Sequence, residues 1–167
     1  IVTFKSGPGA GNAITNTVSY ANASGNKIDW TAKYIVHASD TDGSVTYSIA
    51  YSDTAGNPGS AVTTGSGSVT VDKTAPTLNT VTIASNNSIN TEKAKENDVI
   101  TLSFTASETI TTPTVSFSIG STVVSPSVSG SGSNYTATYT VLFGQNGLVT
   151  FSISSYSDSA GNAGPTV

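Results

Sequence analysis

The sequence of 167 residues contains no cysteine, no methionine and a single histidine, His37. Transition-metal sites built on thiolates or several imidazoles are therefore excluded. Disulfides are excluded too, although this does not fix the compartment. A Ser–His–Asp triad would have to use His37, and no Gly-x-Ser-x-Gly context accompanies it. We therefore predict that the chain is not an enzyme, because the usual acid–base groups are nearly missing.

Charge is also scarce, at 10% of residues against roughly 25% in ordinary globular domains. The net charge is −4, and the six basic residues are scattered along the chain. Nucleic-acid binding needs a basic stripe that neutralises phosphates. No apolar run approaches the length of a membrane span. We expect neither a nucleic-acid partner nor membrane insertion.

Serine and threonine make up about a third of the residues, and glycine is frequent. Disordered chains are poor in aromatic and β-branched residues, but here Val, Ile, Phe and Tyr recur regularly. Many of them alternate with polar residues, which is typical of strands with one buried face. The sequence therefore predicts a folded, all-β protein. Its hydroxyl-rich composition, low in lysine and without oxidisable Cys or Met, favours an extracellular location.

Two stretches of the chain, Tyr51–Gly59 and Tyr156–Gly164, have nearly the same sequence, and we call each of them the repeated phrase. Their aspartates lie 105 residues apart. This spacing is the length of one small β domain. The alternating series that begins at Trp30 returns in the same pattern at Tyr135. The sequence therefore predicts two copies of one domain.

The boundaries of the two copies do not coincide with the ends of the sequence. Residues 1–4 resemble residues 114–117 in pattern and in position within the copy. The first domain, 1–73, is thus expected to begin at its third strand, and the second, 74–167, to end as its last strand begins. Such a chain resembles a stretch cut from a tandem array. Strands are predicted at 26–36 and 60–71, hairpin loops at Gly65–Ser68 and Gly130–Ser133, and a charged loop rather than a helix at 90–97.

Three segments, Val71–Thr77, Asp98–Glu108 and Asp158–Asn162, strongly resemble bacterial Ig-like (Big-type) repeats. This resemblance implies two tandem Ig-like β-sandwiches of about seven strands each, the first lacking its first two strands and the second its last. It also implies secretion to the cell surface and a structural or adhesive role, as in adhesin stalks. Some members of the family bind Ca²⁺ at domain junctions.

Asp40 and Asp42, followed by Gly43, suit a calcium loop, since hard cations prefer alternating carboxylates. The matching turn of the second copy, 143–147, contains no carboxylate. A hairpin turn explains both copies, and it is the favoured interpretation. Calcium remains the alternative, and no other cofactor is predicted.

Asp53 and Asp158, each followed by Ala-Gly-Asn, predict an Asx-type turn in which the carboxylate accepts backbone N–H groups. The glycines and asparagines are expected to adopt positive φ. The alternative is a junction Ca²⁺ site that uses Asp53 or Asp158 together with Asp72. Glu108, at the end of a strand, could bind a metal ion, but hydrogen bonds with a neighbouring loop are the favoured interpretation. The predicted turn residues are Asp53, Gly56, Asn57, Asp158, Gly161 and Asn162.

Asn22, Asn86 and Asn134 lie in N-x-Ser/Thr sequons, which makes them candidate glycosylation sites. Chance matches are expected in a chain so rich in these residue types.

The leading functional hypothesis is a rod- or fibre-forming segment, an adhesin stalk or a filament subunit. Its partners would be adjacent copies of itself or neighbouring Ig-like repeats. A first domain without two strands exposes a sheet edge that a neighbour could complete by strand addition. The alternative is an adhesive module that recognises carbohydrate or protein through loops such as 22–26.

Overall fold

A computed structural model describes residues 1–9, 11–22 and 28–167 of the protein. The described residues form antiparallel β-sheets and contain no α-helix, so none of them belongs to a helix that could cross a membrane. The chain divides into two compact units, unit 1 (Ile1–Lys73) and unit 2 (Thr74–Val167).

Unit 2 consists of two antiparallel sheets. The four-stranded sheet has the order β12-β13-β9-β8, and the three-stranded sheet has the order β11-β10-β14. The strands are β8 Leu78–Ser85, β9 Val99–Ala106, β10 Thr114–Ile119, β11 Thr122–Val124, β12 Ser127–Ser131, β13 Asn134–Thr140 and β14 Val149–Ser154.

A single hydrophobic core lies between these two sheets. Burial alternates along β9 and β10, as strands with one inward face require. The ring of Phe104 on β9 stacks on that of Tyr135 on β13, with centroids 5.9 Å apart. The fully or nearly fully buried core residues are Ile100, Leu102, Phe104, Ala106, Ile110, Val115, Phe117, Ile119, Tyr135, Ala137, Val141, Ile153 and Tyr156.

The charged segment 90–97 is a loop, as the sequence predicts, in the connection between β8 and β9. The loop ends at Asp98, whose carboxylate accepts hydrogen bonds from the backbone N–H of Lys95 (2.9 Å) and from the side-chain amide of Asn87 (2.7 Å). These hydrogen bonds lower the pKa of Asp98.

The described residues of unit 1 form the strands β1 Val2–Ser6, β2 Asn12–Ala13, β3 Ser19–Ala21, β4 Thr31–Lys33, β5 Gly43–Ser44, β6 Thr46–Ile49 and β7 Thr70–Val71. These strands make three small sheets, with the orders β2-β1-β6, β3-β4 and β5-β7.

The two units pair equivalent strands in the same register. Val2 lies opposite Ile49 in unit 1, and their counterparts Val115 and Ile153 lie opposite each other in unit 2. Between Ile153 and the repeated phrase, unit 2 has one more residue than unit 1. Ser155, with φ of 56°, lies in this stretch. The backbone thus absorbs the extra residue without changing the register of the pairing before it.

Unit 1 differs from the sequence-based expectation in the extent of its strands. The strand predicted at 26–36 is paired only at Thr31–Lys33, and residues 26 and 27 lie outside the described residues. The strand predicted at 60–71 is reduced to Thr70–Val71 and a bridge between Val62 and Ile49. The segment 65–68 lies within this stretch and is not a hairpin loop. The segment 130–133 contains the two-residue turn, 132–133, that connects β12 to β13.

Candidate functional site

Asp40 closes a loop in unit 1 through contacts with its own chain. Its carboxylate accepts hydrogen bonds from the Tyr34 hydroxyl, from the backbone N–H of His37 (2.8 Å) and from that of Thr15 (3.0 Å). Burial of Asp40 opposes ionisation, but these hydrogen bonds outweigh it and hold the pKa of Asp40 well below its usual value. We call this arrangement the tyrosine clasp.

Unit 2 forms the same clasp with a neutral side chain. Gln145 occupies the position of Asp40; its Oε1 accepts the backbone N–H of Leu142 (2.8 Å) and its Nε2 donates to the Tyr139 hydroxyl (2.9 Å). The partners lie three and six residues upstream, as in unit 1. The clasp therefore needs hydrogen bonds at these two points and does not need a charge.

Asp42, the second carboxylate of this loop, pairs with Lys73. The ammonium group lies 3.6 Å from Asp42 Oδ1, and the backbone N–H of Lys73 donates to Oδ2 (3.2 Å). The same ammonium donates to the carbonyls of Ala38 (2.8 Å) and Asp40. One lysine thus holds the loop against the end of β7.

Asp158 organises the repeated phrase of unit 2. Its Oδ1 accepts three backbone N–H groups, from residues 160, 161 and 162, at 2.7–2.9 Å. Its Oδ2 accepts the side-chain amide of Asn162 at 2.7 Å. Burial opposes ionisation of this carboxyl, but the hydrogen bonds outweigh it and lower the pKa of Asp158. Much of its acceptor capacity is therefore used by its own turn.

Asp53 builds the same turn in unit 1, on an exposed surface. It accepts hydrogen bonds from Ala55 and from the backbone and side chain of Asn57, which lower the pKa of Asp53. Gly56 adopts the expected positive φ of 93°, as does its counterpart in unit 2. Asn57 and Asn162 do not adopt the expected positive φ. Each of them instead donates a side-chain N–H to the carboxylate of its turn.

The tyrosine that opens each phrase packs over the glycine that ends it. A Cβ built on Gly164 would lie 2.0 Å from the ring of Tyr156, and one on Gly59 would lie 2.2 Å from that of Tyr51. Tyr156 is 2% exposed, donates its hydroxyl to the Pro165 carbonyl (2.8 Å) and has its pKa raised by burial. Tyr51 is 55% exposed.

The remaining metal candidates belong to different units. Asp72 follows β7 in unit 1 and is half-buried. Glu108 lies in unit 2, where one of its carboxylate oxygens is within 4.8 Å of one from Asp158. Calcium needs six to eight oxygen ligands, more than this pair supplies.

The three sequons lie in different settings. Asn86 is exposed, and its Oδ1 accepts the backbone N–H of Val99 (2.8 Å). Asn134 is exposed at the start of β13. Asn22 is half-buried, and the other two residues of its sequon, together with the rest of the loop 22–26, lie outside the described residues.

In the described part of unit 1, β4 has a paired strand on one side only, which leaves an open face beside Trp30. In unit 2, β13 pairs with β9, which in turn pairs with β8. Unit 1 has no equivalent of β8 or β9 among its described residues, so one edge of β4 is open. Trp30 is 62% exposed there, whereas its counterpart Tyr135 is 4% exposed. The predicted alternation is thus present, but β9 and β8, the strands that lie on one side of β13 in its sheet, have no counterparts among the described residues of unit 1.

Unit 2 has an open cleft at one end of its sandwich, of about 600 Å³. The end of β8, the charged loop and the start of β14 line it. In the turn between β13 and β14, Leu142, Phe143 and Leu148 are exposed, Phe143 at 87%. The alternation pattern gave no reason to single out this loop aromatic, because only strand positions are marked by period two.

No protein-family model, curated protein or solved structure matches the chain.

Proposed function

We propose that the chain is a structural segment of an extracellular or cell-surface array, composed of two tandem Ig-like sandwiches, and that strand addition by neighbouring units completes it. The observation that supports this most directly is the equal register of the two units. Val2–Ile49 and Val115–Ile153 are the same pair in successive copies of one fold. Repetition of one supersecondary unit is typical of arrays.

The open face of unit 1 supports assembly by strand addition. A sheet edge with unpaired N–H and C=O groups next to exposed apolar residues is a template for another strand. Unit 2 indicates what such a strand provides, because β9 places Phe104 against Tyr135, the counterpart of Trp30. An incoming strand with an aromatic or aliphatic residue at that position would cover Trp30. Contacts of this heterologous kind produce open filaments.

Analytical ultracentrifugation over a wide concentration range tests this proposal. We expect the 167-residue chain to self-associate, with Trp30→Lys weakening association at least tenfold, because a lysine there opposes burial by a second chain. Trp30 is exposed, so the substitution should leave folding intact. The control is Val123→Lys on β11, another exposed apolar residue, which should associate as the wild type does. A single-chain particle at every concentration, with Trp30→Lys unchanged, would argue against strand addition at this face.

An adhesive module is the second candidate, and Phe143 is the observation that favours it. Exposed aromatic residues on loops supply contact area for protein or carbohydrate ligands. Glycan-array or pull-down binding that is lost in Phe143→Ser, but retained in Trp30→Lys, would support this role over assembly.

A further inference from the structure

The loop that precedes β5 in unit 1 gathers oxygen atoms around the ammonium group of Lys73. The ammonium donates hydrogen bonds to the carbonyl of Ala38 (2.8 Å) and to that of Asp40, and it lies 3.6 Å from Oδ1 of Asp42. These three oxygens come from alternate positions of one short loop. Gly43 follows them with a φ of 134°, a conformation that favours glycine. The loop therefore surrounds one positive charge with oxygens spaced two residues apart.

This arrangement has the features of a loop that binds a hard cation. In calcium-binding loops, alternate residues supply carboxylate and backbone carbonyl oxygens, and a glycine permits the sharp turn. Here Asp42 supplies the carboxylate, and residues 38 and 40 supply the carbonyls. The place of the ion is taken by an ammonium group, which binds the same kinds of oxygen through its N–H donors.

Asp40 contributes its carbonyl to this group, and its carboxylate has a different role. The carboxylate accepts the hydrogen bonds of the tyrosine clasp, from Tyr34, His37 and Thr15. The two acidic residues of the loop are thus divided between two functions. The first carboxylate shapes the loop, and the second, that of Asp42, balances the cation.

Lys73 is fixed to the loop at both ends of the residue. Its backbone N–H donates to Oδ2 of Asp42 (3.2 Å), so backbone and ammonium contact the same carboxylate. The side chains of Lys73 and Asp42 are 32% and 35% exposed, so water reaches this group of oxygens from one side. A metal ion in place of the ammonium would therefore complete its six to eight ligands with water, since the loop supplies three oxygens.

We propose that the loop of residues 38–42 is a site for a hard divalent cation of the calcium type, and that Lys73 occupies this site with its own ammonium group. Unit 1 thus keeps the loop closed without metal. Removal of the ammonium leaves a carboxylate and two carbonyls with no positive charge between them, and such a group of oxygens attracts a hard cation. The inference is independent of the proposed array, because it concerns the inside of one loop.

Lys73→Met tests the proposal, because methionine keeps the aliphatic part of the side chain and loses the charge. In nuclear magnetic resonance titrations with calcium chloride, we expect the amides of residues 38–43 in this variant to shift and saturate. Because the loop supplies few ligands, the Kd should be about 10⁻⁴–10⁻³ M, the range of weak extracellular sites. The wild type should bind at least tenfold more weakly. The matching turn of unit 2, 143–147, has no carboxylate and should not shift.

A double variant and a refolding test make this experiment decisive. Asp42→Asn in the Lys73→Met background removes the carboxylate and should weaken calcium binding at least tenfold. Equal binding by both variants would overturn the proposal, because the loop would then not be the site. If Lys73→Met unfolds unit 1, calcium should refold it. A folded variant that binds no calcium, or an unfolded one that calcium does not refold, would also overturn it.

Proton exchange of the ammonium group tests the wild type directly. Hydrogen bonds to two carbonyls should slow the exchange of the Lys73 ammonium protons with water, so that their resonance is observed near neutral pH. Lys33 on β4 is exposed and serves as the control, because its ammonium protons should exchange too fast to be seen. Asp42→Asn should speed the exchange at Lys73. Exchange at Lys73 as fast as at Lys33 would show that the ammonium does not occupy the loop.

Discussion

Phe117 and Phe4 occupy equivalent positions in the two units. Substitution of each by alanine therefore compares the stability lost in a closed core with that lost at an open face. Phe117 is fully buried between the sheets of unit 2. Phe117→Ala removes its packing and leaves a cavity, so unit 2 should lose about 3–5 kcal/mol. Phe4 is only half-buried, with its ring centroid 6.3 Å from that of Tyr34. Phe4→Ala should cost unit 1 about 1 kcal/mol, since little area is lost and no closed cavity forms.

Urea unfolding followed by two-dimensional nuclear magnetic resonance gives a separate midpoint for each unit. With a slope of about 1.5 kcal/mol/M, the loss in Phe117→Ala lowers the midpoint of unit 2 by roughly 2 to 3 M. The milder Phe117→Leu keeps the comparison measurable if the alanine variant does not fold. Equal losses for Phe4→Ala and Phe117→Ala would refute the reasoning, because unit 1 would then have a closed core of its own.

Two further predictions concern the repeated phrase. Gly164→Ala should destabilise unit 2 by about 1–3 kcal/mol, because the new Cβ overlaps the buried Tyr156 ring. Gly59→Ala should destabilise unit 1 less, since the exposed Tyr51 can move aside. Equal losses of stability in calorimetry would contradict this. The pKa of Asp158 is 3.8 unfolded and lower when folded. Its ionised form therefore stabilises unit 2 fully above that pH, and the contribution is lost as the pH falls through the folded pKa. Asp158→Asn should lower the urea midpoint at pH 7 and approach the wild type in acid, whereas a constant gap between pH 7 and 2 would exclude this linkage.

The sequence predicts the repeated elements of the fold well, because period-two patterning and internal repetition are local signals. The all-β class follows from them. Residues 1–4 and 114–117, which have similar sequence patterns, fall on β1 and β10, and these strands pair with β6 and β14 in the same register.

The features that the sequence did not predict depend on contacts between segments that are distant along the chain. Trp30 and Tyr135 carry the same pattern, yet their burial differs, because β9 lies beside Tyr135 in its sheet and no described residue of unit 1 lies in the equivalent place beside Trp30. The segment 60–71 alternates like a strand, but most of it pairs with no strand among the described residues. The cleft beside Leu148 is lined by residues from several strands and loops, and no local pattern marks such an arrangement.

The tyrosine clasp has a consequence for how the two units respond to acid. The negative charge of Asp40 strengthens the hydrogen bonds that it accepts from Tyr34 and His37, so protonation below its depressed pKa weakens the clasp in unit 1. Gln145 has no proton to gain and makes the equivalent bonds at any acidity. Strong acidification would therefore loosen this loop in unit 1 while its counterpart in unit 2 stayed closed.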